Sequence, residues 1–165
     1  MTLIGIEKLR SDHEIETFDC GKPELNNFLK RFAFSNQRSN LSQTYVLIRN
    51  NQVIAYYSLI VGNVEHKNAP RRIVEGAGQY PVPVMILARL AVSKEDQGKG
   101  FGAALLKDAL KRTANAADIA GIRAFLVHAK DESSKRFYEQ FDFLSSPTDS
   151  LHLFLLMKDI LRLLA

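Results

Sequence analysis

The sequence predicts an α/β (α+β) fold, a central mixed twisted sheet flanked by helices, and three observations predict it. Apolar runs of strand length alternate with segments whose apolar residues recur at helical spacing. Asn, Gly and Pro punctuate the boundaries. The elements then read helix, hairpin, strand, helix, strand, helix, strand. The chain has 165 residues and no linker-like or repeated stretch, so residues 1–165 are expected to form a single domain.

Pro23 to about Ser35 reads as the first helix. Pro23 suits the first turn, and Leu25, Phe28, Leu29, Phe32 and Ala33 repeat on one face. Thr44–Arg49 and Val53–Val61 flank Asn50-Asn51 and read as a β-hairpin, because asparagine tolerates positive φ. Gly62 to Pro83 is polar and rich in glycine and proline, a loop with room for a short helix over a binding face. Val84–Val92 is almost continuously apolar, as a strand buried on both faces requires. Phe101 to about Ala116 is amphipathic, with Leu105, Leu106, Ala109 and Leu110 on one side and Lys107, Asp108, Lys111 and Arg112 on the other. Ile122–His128 is a second apolar strand, Ser133–Phe141 a helix, and Leu151–Met157 a final strand.

Composition excludes several classes. One cysteine, Cys20, rules out an internal disulfide framework and fits a reducing compartment. Met1 to Asp12 lacks a signal-peptide apolar core, and no apolar run is long enough to span a bilayer. A cytoplasmic protein with no membrane contact is expected. Net charge is +4, which favours an anionic partner without identifying it; a surface selected for solubility reads equally well.

The chemistry concentrates after the strand ending at Val92. Strand, glycine-rich turn, helix is a general device for holding phosphate, since the first N–H groups of a helix lack intrahelical partners and the helix dipole adds positive charge. In Gln97-Gly98-Lys99-Gly100-Phe101-Gly102 the glycines let a diphosphate approach the main chain. Gln97 can add an amide donor and Lys99 a charge at the rim. The spacing fails the dinucleotide fingerprint G-x-G-x-x-G, and Lys99 is followed by Gly100 where a Walker loop needs Ser or Thr. A tight turn with no ligand remains the alternative.

Leu87-Ala88-Arg89-Leu90-Ala91-Val92 followed by Gln97 to Gly102 resembles the central motif of the GNAT acetyltransferases. In that superfamily Arg or Gln, two residues, Gly, one residue, then Gly or Ala binds the pyrophosphate of CoA, and Gln97, Gly100 and Gly102 satisfy the pattern. The resemblance implies acetyl-CoA as cosubstrate and no metal. It implies cofactor contacts from Leu90, Ala91, Val92, Gln97, Gly98, Lys99, Gly100, Phe101 and Gly102, with Ser133 and Phe137 added downstream. Asp131 to Phe143 resembles the family helix that ends in Tyr-x-x-x-Gly-Phe, with Asp142 in place of the glycine. Aspartate is tolerated in the left-handed conformation, so the turn is expected to survive.

Tyr138 is the candidate general acid toward the departing thiolate, because a phenol is protonated at neutral pH. Read without the family, it is a core aromatic beside Phe137 and Phe141. No general base stands out, and His128 and His152 read as structural.

A narrower resemblance spans nearly the whole chain. Phe18-Asp19-Cys20-Gly21, Leu25-Asn26-Asn27-Phe28-Leu29, Gly121-Ile122-Arg123 and Val127-His128-Ala129 resemble the GNAT toxins of type II toxin–antitoxin systems. That resemblance implies acetylation of the α-amino group of aminoacyl-tRNA, inhibition of translation, a ribbon-helix-helix antitoxin partner and a homodimer. Lys30, Arg31, Arg38, Arg71, Arg72 and Arg89 are then candidates for RNA phosphate contacts, each also readable as a solvated charge. Arg89 differs, because a charge within an apolar strand needs a specific partner. A GNAT enzyme acting on a small amine or a protein N-terminus is the alternative.

Overall fold

The computed structural model describes residues 4–165, so the first three residues of the N-terminal stretch lie outside the described residues. The strands are β1 (Ile4–Lys8), β2 (Gln43–Arg49), β3 (Gln52–Val64), β4 (Val82–Val92), β5 (Ala124–His128), β6 (Leu144–Ser145) and β7 (His152–Leu156). They are hydrogen-bonded in the order β1-β2-β3-β4-β5-β7-β6. The β4–β5 pair is parallel, whereas β1–β2, β2–β3, β5–β7 and β6–β7 are antiparallel, which gives the mixed sheet expected. The helices are α1 (Pro23–Asn27), α2 (Ala33–Arg38), α3 (Arg71–Val74), α4 (Phe101–Ala117), α5 (Glu132–Glu139) and α6 (Met157–Leu164). Two compact units result: Met1–Ile60 with Ala88–Ala109, and Val61–Leu87 with Leu110–Ala165. Among the described residues, no helix is long and apolar enough to cross a membrane.

In the first unit the hairpin forms as its turn residues require. Asn50 and Asn51 take φ of 53° and 65°, the two successive left-handed residues of a type I′ turn, and Arg49 pairs with Gln52 across it. The first helix departs from the expected single α-helix. A π-helical turn, Phe28–Phe32, joins α1 to α2, and the N–H of Ala33 donates to the Phe28 carbonyl. This wider turn changes which residues share a face. Leu25, Phe28, Leu29 and Ala33 are buried, whereas Phe32, expected beside them, is 50% exposed. The buried face packs against Phe18, Val46, Val53, Tyr56 and Ala91. Polar groups in and beside this core are mostly paired: Thr44 and Ser58 hydroxyls lie 2.7 Å apart, and Gln37 bridges the Leu9 carbonyl and the Thr44 N–H at 2.8 and 3.0 Å, whereas Ser42 Oγ and Gln43 Oε1 are buried without a hydrogen-bond partner among the described residues.

In the second unit β4 and β5 pair from Val84↔Ala124 to Leu87↔Val127. Their buried residues join Ile73, Phe154 and Leu156 in one core. The stretch read as a loop holds the short helix it had room for, α3, which places Ile73 in the core; its start is more ordered than expected, with β3 continuing to Val64 and a 3₁₀ turn at His66–Asn68. The helix α6 was not anticipated. It follows β7 directly at Met157, with no glycine or proline to mark the boundary.

Asp142 takes φ of 67°, the left-handed turn expected after α5. A Cβ at that angle is strained, although aspartate tolerates it better than most residues. Asp142→Gly should therefore raise stability by about 0.5 kcal/mol and Asp142→Val should lower it. Urea denaturation midpoints at unchanged slope measure both.

Candidate active site

The loop after β4 is built from a short 3₁₀ turn, Lys94–Asp96, and then Gln97 to Gly100 ahead of α4. Gly98 and Gly100 have φ of 77° and 85°, and a Cβ at either would meet nothing within 4 Å. Glycine is needed there for backbone conformation, and the space above it is open. The Ala104 N–H reaches the Gly100 carbonyl at 3.1 Å; the N–H groups of residues 98–103 donate to no acceptor among the described residues. Open space over unpartnered N–H groups at the head of a helix fits a diphosphate.

Asp96 anchors this loop from inside. Its side chain is only 2% exposed and accepts Arg49 Nη1 and Nη2 at 2.9 and 3.1 Å, Ser93 Oγ at 2.6 Å and Lys99 Nζ at 3.3 Å. The Arg49 guanidinium, followed by Ser93 and Lys99, holds the Asp96 carboxyl down at about 2. Gln97 serves differently from the expected ligand donor. Its Nε2 donates to the carbonyls of Val92 and Cys20 at 2.9 and 3.1 Å, so the amide ties the loop to the end of β4 and to the segment before α1. That segment is fixed in turn: the Lys94 N–H donates to the Asp19 carbonyl at 2.8 Å, and the Asp19 carboxylate takes the Gly21 N–H and the Asn26 amide. The Gly21 N–H is the main cause of an Asp19 carboxyl lowered to about 2.

Leu90, Ala91 and Val92 follow the last rung of the β4–β5 ladder and take no part in it. Arg89 has the specific partner its place in an apolar strand demanded. Its guanidinium carbon lies 3.7 Å from the centre of the Phe28 ring, a cation–π contact, while Phe28 stacks on Tyr56. Lys30 and Arg31 lie on the π turn and Arg38 ends α2.

The second unit supplies Tyr138. Asp131 caps α5 by accepting the Ser134 N–H at 2.8 Å, and Ser133 is exposed in the first turn. Tyr138 is 6% exposed and packs edge-on against Phe137, with Phe143 on another side. Its hydroxyl bonds to no described residue, and burial raises its pKa. Two of the basic residues have acidic partners, Arg72 a firm one and Arg71 a loose, exposed one. Arg72 grips Asp159 through Nε and Nη2 at 2.8 and 2.5 Å, and Arg71 faces Glu75 at 3.5 Å. Arg123, which the sequence marks only as part of the Gly121-Ile122-Arg123 motif, donates to the carbonyls of Ile73 and Glu75 and so fixes α3. His128 and His152 stack at 4.0 Å; burial, then His152, lowers the pKa of His128.

Residues 40–144 match the family described as the acetyltransferase (GNAT) domain. The chain belongs to the GNAT acetyltransferases and is an acyltransferase. Within that class it is 44% identical to the tRNA-acetylating toxin of Mycobacterium tuberculosis over 88% of this chain and 87% of that protein. AtaT complexed with acetyl-methionyl-tRNAfMet is 30% identical, with a TM-score of 0.91 over 98% of this chain and 99% of that one. A tyrosine-to-phenylalanine mutant of AtaT, bound to acetyl-CoA and the C-terminus of the antitoxin AtaR, is 29% identical, with a TM-score of 0.84 over 98% of both chains.

Asp96 gives a pH signature. Its folded pKa is depressed, so its contribution to stability is present above the unfolded value of about 4 and is lost as pH falls through about 2. The Tm gap between the wild type and Asp96→Asn should stay constant from roughly pH 8 to 5 and narrow below about pH 4.

Proposed function

We propose that the protein is the toxin of a type II toxin–antitoxin system and transfers acetyl from acetyl-CoA to the α-amino group of aminoacyl-tRNA, inhibiting translation. The observation that carries this reading is the match, along 88% of the chain, to a tRNA-acetylating toxin at 44% identity. AtaT bound to acetyl-methionyl-tRNAfMet supports the same acceptor class. Residues 1–165 act as one GNAT domain in this reading. Its partners are a ribbon-helix-helix antitoxin and a second copy of the chain, and its compartment is the cytoplasm. The AtaT–AtaR complex supports the antitoxin.

Acetyl-CoA supplies an activated acyl group as a thioester. The unpartnered N–H groups of residues 98–103 would hold its diphosphate, with Lys99 adding charge. Leu90, Ala91 and Val92 would offer main-chain groups to the pantetheine amides, and Ser133 and Phe137 would each add a cofactor contact. Tyr138 holds a proton at Oη. As the acceptor nitrogen bonds to the carbonyl carbon and the carbon–sulfur bond breaks, that proton passes to sulfur. The nitrogen releases its own proton, which restores the phenol through solvent. Burial raises the Tyr138 pKa, which alone makes the phenol a weaker donor. The same desolvation makes a departing thiolate more basic, so the proton still moves between matched partners. An aminoacyl ester amine suits a site without a strong base, because it is less basic than a lysine side chain.

Of the RNA candidates, Lys30, Arg31 and Arg38 keep heads available for phosphate. Arg71 is exposed in a loose pair and could turn to phosphate, whereas Arg72 and Arg89 would have to contact RNA from within the pairings described above.

Incubation with acetyl-CoA and total charged tRNA should yield N-acetylated aminoacyl-tRNA, identified after hydrolysis by mass spectrometry. Turnover of free amines or peptide N-termini without tRNA would overturn the reading. Tyr138→Phe should lower kcat about 10²–10⁴-fold and relieve growth arrest, since general acid catalysis contributes in that range. Acetylation of charged tRNA at the wild-type rate by this variant would rule out the acid role.

A further inference from the structure

We propose that Arg49 is the positioning residue of the diphosphate loop: it neutralises Asp96 and so leaves the charge of Lys99 available to the bound anion. The inference rests on reading Gln97 to Gly102 as the acetyl-CoA loop and adds a residue from outside that motif.

Three charges meet here. Asp96 is almost dry, and Arg49 occupies both of its oxygens in a two-pronged grip at 2.9 and 3.1 Å. Lys99 reaches the same Oδ1 at 3.3 Å, the longest contact in the set, and its side chain is 55% exposed. The cluster therefore carries one net positive charge, and the lysine is the loosely held member. Arg49 is only 30% exposed and closes β2 at the hairpin turn, 47 residues before Asp96. It is fixed where Lys99 is free to turn outward.

Removal of Arg49 changes that balance. A buried carboxylate cannot be left unpaired, so Asp96 would draw in the one cation remaining beside it. Lys99 would be captured, the net charge of the cluster would fall to zero, and the loop would lose its attraction for a diphosphate. Removal of both Arg49 and the Asp96 charge returns Lys99 to the anion. A residue that merely braced the loop would not show this reversal.

The test is calorimetric titration of the full-length protein with CoA at low ionic strength, which needs no acceptor and no turnover. Arg49→Met should weaken CoA binding about tenfold. Arg49→Lys, which keeps the charge, should recover most of it, and Arg49→Met combined with Asp96→Asn should bind more tightly than Arg49→Met alone. The double variant also removes the unpaired buried charge, so it stays informative if Arg49→Met folds poorly. In steady state Arg49→Met should raise KM for acetyl-CoA and leave kcat within about twofold. Equal CoA binding by wild type and Arg49→Met, or a double variant as weak as the single one, overturns the positioning role. Failure of the wild type to bind CoA overturns the cofactor reading itself.

Discussion

A carboxylate with 2% of its side chain exposed is the constraint on which the first unit's glycine loop depends. Such a charge must be surrounded by donors, and Asp96 takes its donors from the end of β2, from Ser93 and from Lys99. Satisfying one buried charge therefore joins the hairpin, the turn after β4 and the start of the glycine loop. Gln97 and Asp19 extend the same frame with bonds to main-chain groups. The frame faces inward. What it leaves outside is a row of N–H groups with no described acceptor, held open by two glycines in the left-handed region.

The second unit is organised around apolar packing. Its core of Ile73, Val84, Leu126 and Phe154 holds a parallel pair of strands, and Tyr138 packs among Phe137 and Phe143. Desolvation keeps that phenol protonated, and its hydroxyl bonds to no described residue. Elsewhere in this unit charges serve the fold: Arg72 is held by Asp159, and Arg123 supports the two carbonyls around α3.

Local rules determined much of the fold. The hairpin, the strands β4, β5 and β7, the long helix α4 and the left-handed Asp142 were legible because each depends on periodicity or on the φ tolerance of one or two residues. β1 was not, because five residues including a glycine carry little strand signal; pairing of Ile4–Lys8 with β2 defines it. The π turn escaped for a related reason. Its extra residue leaves composition unchanged and shows only in Phe32 leaving the buried face.

The sequence by itself determined the glycine loop, the family motif around it and the tyrosine helix, since adjacent residues carry each of these. Tertiary structure decided how the basic and polar side chains are used. Arg72 and Gln97 read as groups able to meet a ligand and Arg89 as a charge in need of a partner, and the fold supplies a carboxylate, two carbonyls and an aromatic face respectively. Arg49 read as the end of a strand, and the fold set it against Asp96. The physical reason is that charges and amides are satisfied by neighbours in space, often dozens of residues away, whereas turns and helix starts are satisfied by neighbours in the chain.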